Sequence, residues 1–334
     1  MAVLVTGGAG FIGSHMVAAL RAAGRRVVVL DDLSSGHRDA VPRDVSLIVA
    51  SVADRSRVSA LIHEFEVDAI AHFAARAQVG ESVRDPRLYW NGNVVATARL
   101  LDCAVDARVR TFILSSTAAV YGAPDAIPIT ESEPTRPINP YGETKLAIER
   151  MLASYARAYG LRFVALRYFN AAGADVEREL EERHDPETHL IPLLLDTALG
   201  RRPHVTVFGR DYPTLDGTCV RDYVHVVDLA DAHRAALEYL ERGCESGSFN
   251  LGAGTGHSVA EVIAMCRAVT GRDIPVAYGE RRDGDPPVLI ASPALAGDRL
   301  GWIARRSSLE RIVRDAWAAR LRASARDARV TRHS

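Results

Sequence analysis

The sequence has only four cysteines, and their positions argue against two kinds of stabilised fold. Cys103, Cys219, Cys244 and Cys266 are scattered, with no CxxC pair and no accompanying histidine cluster. A disulfide framework needs several cysteines at close spacings, and a structural zinc site needs paired ligands. We therefore expect a protein of a reducing compartment without a metal site.

An excess of one charge and long apolar runs are also missing. The chain has 41 basic and 42 acidic side chains, a formal charge of −1, so no overall field attracts nucleic acid or an anionic membrane. No apolar run approaches the length that spans a bilayer, and Met1 leads straight into Val3–Val5 without a basic leader. We expect a cytoplasmic protein that binds anionic ligands through a local site.

Arginines are concentrated at the end of the chain, where the last thirty residues contain nine of them. Ser307 and Glu310 form a capping-box pattern before a helical stretch. The apolar residues of that stretch share one helical face: Leu309, Ile312, Val313, Ala316, Trp317 and Leu321. The pattern favours a docked helix with a solvated basic face over a nucleic-acid-binding arm, because no aromatic platform for bases accompanies it.

The first half of the chain alternates short apolar runs with helical patterns. Continuous apolar runs are typical of parallel strands that are buried on both faces, and the alternation indicates repeated βαβ units. The predicted strands are Val3–Val5, Val27–Leu30, Leu47–Val49, Ala69–Phe73 and Thr111–Ser115, and helical patterns include Ser14–Ala23 and Val94–Ala104. The sequence thus predicts an α/β protein with a Rossmann-type, doubly wound parallel sheet.

The pattern changes after about Asn170. An acidic stretch from Asp175 to Glu187 is followed by shorter elements that several prolines interrupt. We expect a cofactor-binding domain over residues 1–170 and a smaller mixed α/β substrate domain over 171–334, with some later segments packing back on the first.

A glycine-rich loop follows the first predicted strand. Gly7, Gly10 and Gly13 stand at GxxGxxG spacing, around Phe11 and Ile12. In such a loop the glycines permit a tight turn, a close approach of backbone N–H groups to a pyrophosphate, and close packing of the following helix. The sequence predicts a dinucleotide-binding loop, although a phosphate-free helix cap remains the alternative.

The second predicted strand ends in two carboxylates, Asp31 and Asp32. A carboxylate at this point accepts hydrogen bonds from ribose hydroxyls and repels a 2′-phosphate. The sequence therefore favours NAD over NADP as cofactor, against the alternative of a solvated acidic turn.

Tyr141 and Lys145 are four residues apart in a predicted helix start, hence on one helical face. A free tyrosine has a pKa near ~10, so a base role requires stabilisation of its phenolate, to which a lysine and a positive nicotinamide ring can contribute. The pair alone is more often an ordinary exposed helix pair. The hydroxyl-rich turn Ser115–Thr117 after a predicted strand strengthens the catalytic interpretation, since a hydroxyl there can hold the oxygen that Tyr141 deprotonates.

Taken together, these segments resemble the extended short-chain dehydrogenase/reductase superfamily and, within it, the UDP-glucose (UDP-galactose) 4-epimerase family. Further segments resemble that family in order along the chain: His72–Ala75, Val79–Ser82, Leu166–Asn170, His189–Pro192, Phe208–Thr214, Gly217–Tyr223 and Asn250–Gly254. The resemblance implies a homodimer that binds NAD and a UDP-sugar.

The resemblance also implies roles for particular residues. Tyr141 would be the general base, Lys145 its partner and a cofactor ligand, and Thr117 the hydroxyl that binds the sugar O4. The implied cofactor contacts are Gly7, Gly10, Phe11, Ile12, Gly13, Asp31, Asp32, Leu33, Ser34, Ser35, Gly36, Ser51, Val52, Phe73, Ala74, Ala75, Arg76, Asn93, Ser115, Tyr141, Lys145, Tyr168 and Phe169.

Substrate contacts are implied in both halves of the chain: Thr117, Tyr141, Asn170, His189, Leu190, Thr206, Phe208, Arg221, Arg282 and Asp285. Guanidinium groups suit a diphosphate that the neutral net charge cannot attract. For Arg221 or Arg282 alone, a salt bridge with Asp222, Asp283 or Asp285 is an equally good interpretation. Ser51, Gly92 and Ala77 depart from the family pattern, and Leu289 stands where side-chain bulk bears on N-acetylated sugars.

Several functions fit this set of residues to different degrees. A 4,6-dehydratase of the same superfamily has an acid and a base directly after the threonine, where this chain has Ala118 and Ala119. The rival that stays open is a 4-epimerase of another UDP-sugar: a glucuronate, a pentose or an N-acetylhexosamine. A non-catalytic NAD-sensing protein would not need Tyr141, Lys145 and Thr117 together.

Overall fold

The computed structural model describes residues 2–282 and 284–330, with side chains through residue 325. The chain divides into two compact units: residues 2–168, 229–251 and 292–303 form the first, and 169–228, 252–282, 284–291 and 304–330 the second. The expected boundary at residue 170 lies two residues beyond the end of the first long segment, and two later segments return to the first unit.

The strands are short and most belong to one sheet. They are β1 Ala2–Thr6, β2 Val27–Asp31, β3 Ser46–Val49, β4 Val67–His72, β5 Thr111–Thr117, β6 Arg162–Tyr168, β7 Asn170–Ala172, β8 Val205–Phe208, β9 Val220–His225, β10 Gly247–Leu251, β11 Gly256–Ser258, β12 Val276–Gly279 and β13 Val288–Leu289. The five strands predicted in the first half are all present, within a few residues of their expected bounds.

The α-helices are α1 Phe11–Ala22, α2 Arg55–Glu64, α3 Val79–Arg84, α4 Pro86–Tyr89, α5 Ala96–Asp106, α6 Pro140–Tyr159, α7 Leu190–Ala198, α8 Val226–Glu241, α9 Val259–Thr270, α10 Ala294–Leu300 and α11 Leu309–Val330. A π-helical segment, Trp90–Val95, precedes α5. The described helices include none that is long and apolar enough to cross a lipid bilayer.

The first unit is built on a seven-stranded parallel sheet in the order β10-β6-β5-β4-β1-β2-β3. The chain winds outward from β1 to β3 and then in the other direction from β4 to β6, so the sheet is doubly wound, as predicted. Its core contains Leu4, Ile70 and Phe112, all without exposed surface. In such sheets ligands lie at the carboxyl ends of the strands on either side of the reversal, here β1 and β4.

The second unit has two small sheets. In one, β9 pairs with β7, β11 and β13; in the other, β12 pairs with β8. Helices α7, α9 and α11 contribute Leu194, Val262 and Ile312 to a separate hydrophobic core. The docked C-terminal helix expected from its apolar face is therefore present, except that Leu321 is 40% exposed.

Two helices of the second unit start in different ways. Ser258 caps α9 in a reciprocal capping box with Glu261. The predicted box of Ser307 and Glu310 is wrong, because the Ser307 hydroxyl instead donates to Asp228 at 2.8 Å and accepts from the His225 N–H at 2.8 Å. At the start of α11 the Arg311 N–H donates instead to the Ser308 hydroxyl, at 3.4 Å.

Candidate active site

The glycine loop connects β1 to α1 in a conformation that needs its glycines. Gly7 has φ +69°, and a Cβ at Gly13 would lie 2.1 Å from the Gly7 carbonyl oxygen. A Cβ at Gly10 would instead meet only that oxygen, at 3.3 Å. Gly10 is also the N-cap residue of α1, and it has no side chain that could cover the start of the helix. The open side of Gly10 and the helix start thus form a cradle that suits a pyrophosphate.

Asp31 lies at the end of β2 and braces this loop. Its carboxylate accepts the Ala9 N–H at 2.9 Å and the Leu33 N–H at 2.8 Å. Burial raises the pKa of Asp31, while both hydrogen bonds act to lower it. Asp32, by contrast, accepts the Ser34 N–H in an exposed turn. Asp31 therefore has a structural role beside the ribose contact that the sequence predicts.

Other predicted cofactor residues lie at the ends of β3 and β4. The N–H groups of Phe73 and Ala74 both donate to the Thr6 carbonyl, at 2.9 and 3.1 Å. Asn93 is fully buried, and its amide exchanges two hydrogen bonds with the backbone of Arg76, at 2.8 and 3.1 Å. Its side chain therefore fixes the segment after β4. Ala75 belongs to that segment, while Ser51 and Val52 follow β3.

Helix α6 places the predicted catalytic pair. Asn139 caps it by accepting the Gly142 N–H at 2.9 Å, and Pro140 occupies its first position. Tyr141 and Lys145 are both buried on the face directed at the sheet. The Lys145 ammonium donates to the Ser115 carbonyl at 2.8 Å, which ties α6 to the end of β5.

Burial dominates the electrostatics of this pair. It raises the pKa of Tyr141 to about 12, against a smaller opposite effect of a hydrogen bond with Thr117. It lowers the pKa of Lys145 to about 8, while the charge of Glu149 raises it. The protein alone therefore keeps Tyr141 protonated at neutral pH, and a base role requires additional positive charge beside the phenol.

The three hydroxyls at the end of β5 have different partners. Ser115 is hydrogen-bonded to the Tyr168 hydroxyl, and Ser116 donates to Glu149 at 2.5 Å. Thr117 accepts the Ala119 N–H at 3.1 Å and lies beside the Tyr141 phenol, whose pKa its hydroxyl acts to lower. The structure thus brings together Tyr141, Lys145 and Thr117, as the sequence predicts.

The predicted substrate residues other than Thr117 and Tyr141 lie in the second unit, which also contains Phe169. Asn170 opens β7, Thr206 and Phe208 lie on β8, Arg221 lies on β9, Arg282 and Asp285 follow β12, and His189 and Leu190 stand at the start of α7. The Arg282 guanidinium lies 4.2 Å from the centre of the Phe208 ring.

The salt-bridge alternative for the arginines is realised once among the described residues. Arg221 forms an ion pair with Asp285. Asp222 accepts three backbone N–H groups instead, from Ala253, Gly254 and Ala291. Asp283, the other proposed partner, lies outside the described residues. Two predicted substrate contacts, Arg221 and Asp285, are therefore paired with each other.

Three buried polar residues near the site were not predicted from the sequence. His233 on α8 packs against Phe73, with ring centroids 4.6 Å apart. Arg167 and Glu149 form a buried ion pair behind the end of β5, with a shortest N–O distance of 2.5 Å. These partners are far apart in sequence, so no local spacing signals them.

The geometry agrees with comparisons to known proteins. The model of the NAD dependent epimerase/dehydratase family matches residues 3–252, and the chain belongs to this family. It is 51% identical to the UDP-glucose 4-epimerase of Halalkalibacterium halodurans over 317 residues, which are 95% of each protein.

Solved structures show the same similarity. The UDP-glucose 4-epimerase from Brucella ovis in complex with NAD is 50% identical, with a TM-score of 0.92 over 95% of this chain and 97% of that one. The UDP-glucose 4-epimerase from Stenotrophomonas maltophila, with bound NAD and formylated UDP-arabinopyranose, is 41% identical, with a TM-score of 0.93 over 97% and 99%. The Rossmann-type fold predicted from the sequence is confirmed.

Proposed function

We propose that this chain is a UDP-glucose 4-epimerase that interconverts UDP-glucose and UDP-galactose with NAD as a bound cofactor. The observation that carries the proposal is the buried group of Tyr141, Lys145 and Thr117 at the junction of α6 and β5. The group occurs in a chain that shares half of its residues with a named UDP-glucose 4-epimerase.

The residues of the first unit fit NAD. The cradle at Gly10 suits the pyrophosphate, and Asp31 provides a carboxylate at the end of β2, where a ribose hydroxyl can donate to it. Held by these residues, NAD would supply a reversible hydride acceptor for C4 of the sugar and a positive charge that stabilises the phenolate of Tyr141.

In this proposal Tyr141 removes the proton of the C4 hydroxyl as a 4-keto sugar forms, and returns it after the keto sugar has turned. Thr117 hydrogen-bonds the same oxygen, and Lys145 holds the end of β5 in place through Ser115. Ala118 and Ala119 follow Thr117 in a short 3-10 helix. They provide neither acid nor base for loss of water, which favours epimerisation over dehydration.

The second unit supplies groups suited to the nucleotide. Arg221 and Arg282 provide guanidinium groups for a diphosphate, and the Phe208 ring under Arg282 provides an apolar surface. We propose that the bound diphosphate replaces Asp285 as the ion-pair partner of Arg221. Tight binding of the nucleotide and loose binding of the sugar are what rotation of a keto sugar requires.

A second candidate is 4-epimerisation of another UDP-sugar. The structure from Stenotrophomonas maltophila holds a formylated UDP-arabinopyranose, a sugar without the C6 hydroxymethyl group. In this chain Leu289 lies on β13, paired in register with Arg221 on β9. Its side chain thus stands beside a predicted nucleotide contact, at the position whose bulk bears on N-acetylated sugars.

One assay tests the proposal and its rival. Purified protein incubated with UDP-galactose should produce UDP-glucose without net accumulation of NADH, because the hydride returns to the substrate. Parallel reactions with UDP-glucuronate, UDP-arabinose and UDP-N-acetylglucosamine rank the substrates by kcat/KM. Net NADH would indicate a dehydrogenase, a deoxy-keto product a dehydratase, and a higher kcat/KM for another UDP-sugar the second candidate. No conversion of any UDP-sugar would favour the NAD-sensing protein.

We also propose that the protein acts in the cytoplasm as a homodimer. All four cysteines are free, which fits a reducing compartment. Helices of the first unit expose apolar side chains, among them Val83 at 62% and Trp90 at 42%, as a contact surface does. Light scattering should give twice the chain mass of 36.2 kDa, and a mass equal to one chain would contradict the dimer.

A further inference from the structure

Two histidines and two glutamates converge in the acidic segment between β7 and α7. They are Glu182, His184, Glu187 and His189, all within the second unit. One possible ligand atom from each lies within 4.8 Å of those of the other three. The scattered cysteines led us to expect no metal site, and that expectation took no account of these four residues.

The atoms face one another at distances suited to a small cation. The His189 Nδ1 lies 2.9 Å from one carboxylate oxygen of Glu182 and 2.9 Å from one of Glu187. The His184 Nδ1 lies 3.1 Å from the same Glu182 oxygen and 3.9 Å from the second Glu187 oxygen. In tetrahedral zinc sites with bonds near 2.0–2.2 Å, neighbouring ligand atoms are about 3.4 Å apart. The observed distances bracket that value.

The carboxylates are not ordinary surface groups. The side chains of Glu182 and Glu187 are only 6% and 9% exposed. One oxygen of Glu187 accepts the N–H groups of Thr188 and His189, while its other oxygen is buried without a hydrogen-bond partner. The Arg320 guanidinium is 4.0 Å from that second oxygen but lies closer to Asp196, at 3.4 Å. A buried carboxylate oxygen without a hydrogen bond is costly unless a cation compensates it.

We propose that Glu182, His184, Glu187 and His189 form a binding site for a divalent transition-metal ion of the zinc class. Two imidazole nitrogens and two carboxylate oxygens match the ligand preference of Zn²⁺, whereas Mg²⁺ and Ca²⁺ prefer oxygen ligands alone. Two carboxylates balance the charge of the ion when both histidines are neutral. The inference does not depend on the proposed catalytic function.

Zinc would take the place of the contacts that His189 now makes with Glu182 and Glu187, because the ion needs the unprotonated Nδ1 of that imidazole.

The ion would tie the acidic segment to the start of α7. His189 precedes the first helical residue, Leu190, while Glu182 lies seven residues earlier in the chain. A bond from both to one ion closes this loop and reduces the freedom of the segment before α7. Since His189 and Leu190 are also predicted substrate contacts, the metal would order that part of the second unit.

Titration of the full-length, chelator-treated protein with Zn²⁺ alone tests the site. Calorimetry at pH 7 should show one ion per chain. Glu182→Gln and His184→Gln should each weaken zinc binding by at least about 100-fold, since changes even outside the ligand set cost about 10- to 100-fold. Mg²⁺ should bind more weakly than Zn²⁺.

Exposed residues outside the cluster provide the matched controls. Asp185→Asn, in the same loop, and His204→Gln, elsewhere in the second unit, should leave zinc binding unchanged. X-ray absorption of the zinc-loaded parent needs no variant and should show two imidazole ligands. The proposal is overturned if the parent binds no zinc, if zinc has only oxygen or sulfur ligands, or if correctly folded Glu182→Gln and His184→Gln bind like the parent.

Discussion

Replacing Tyr141 by phenylalanine should lower kcat for UDP-galactose by at least about 100-fold, because general acid–base groups typically contribute about 10²- to 10⁴-fold. The phenol is buried beside Thr117 and is the acid–base group of the proposed mechanism, and phenylalanine keeps its ring while removing the proton carrier. The edge-on packing against Tyr89, with centroids 6.5 Å apart, should survive. Steady-state kinetics give kcat, and absorbance of the purified variant should show that NAD is still bound.

Tyr155 provides a matched control on the same helix. Its hydroxyl donates to Asp102 at 2.8 Å, and not to any residue at the end of β5. Tyr155→Phe makes the same chemical change to α6 and should leave kcat within about threefold, as expected for a residue outside the reaction. A Tyr141→Phe variant that turns over like Tyr155→Phe would exclude Tyr141 as the base.

Local sequence patterns were sufficient to predict much of the secondary structure of the first unit. The strands β1, β2 and β4 are nearly continuous apolar runs, because both faces of a parallel sheet are covered. Pairings between distant segments were not visible in this way. β10 pairs with β6 although about eighty residues separate them, and nothing in Gly247–Leu251 specifies its neighbour. The π-helical segment Trp90–Val95 also has the apolar spacing of an α-helix, so periodicity could not separate the two.

The site was predictable where its residues share one element. Tyr141 and Lys145 lie one helical turn apart, so their spacing alone indicated a common face. Lys145 was expected to stabilise the phenolate, yet the hydrogen bond found for its ammonium goes to the Ser115 carbonyl. That contact depends on how α6 packs on β5, which spacing does not encode. The pairing of Arg221 with Asp285 likewise depends on the loop after β12.

The buried ion pair behind the end of β5 should contribute strongly to stability. Arg167 on β6 donates to Glu149 on α6 through Nε at 3.0 Å and Nη2 at 2.5 Å, and Ser116 donates to the same carboxylate. Burial opposes the charge of Arg167, but Glu149 holds the pKa of Arg167 above its usual value. Glu149→Gln leaves a buried guanidinium without its countercharge. We expect the free energy of unfolding to fall by on the order of 3 kcal/mol, measured by urea unfolding.

An exposed ion pair of the same unit is the control for this change. Arg25 donates to Glu241 at 3.1 Å near the surface, so Glu241→Gln should cost less than about 1 kcal/mol. A second readout distinguishes loss of charge from loss of packing. Glu149 raises the pKa of Lys145. In Glu149→Gln, the deprotonation of Lys145 and any alkaline loss of activity that follows it should therefore move to lower pH. Equal urea midpoints for the two variants would contradict this prediction. They would show that solvent or a neighbouring hydroxyl stabilises the charge of Arg167 when Glu149 is replaced, so that the buried pair adds no more stability than a surface pair.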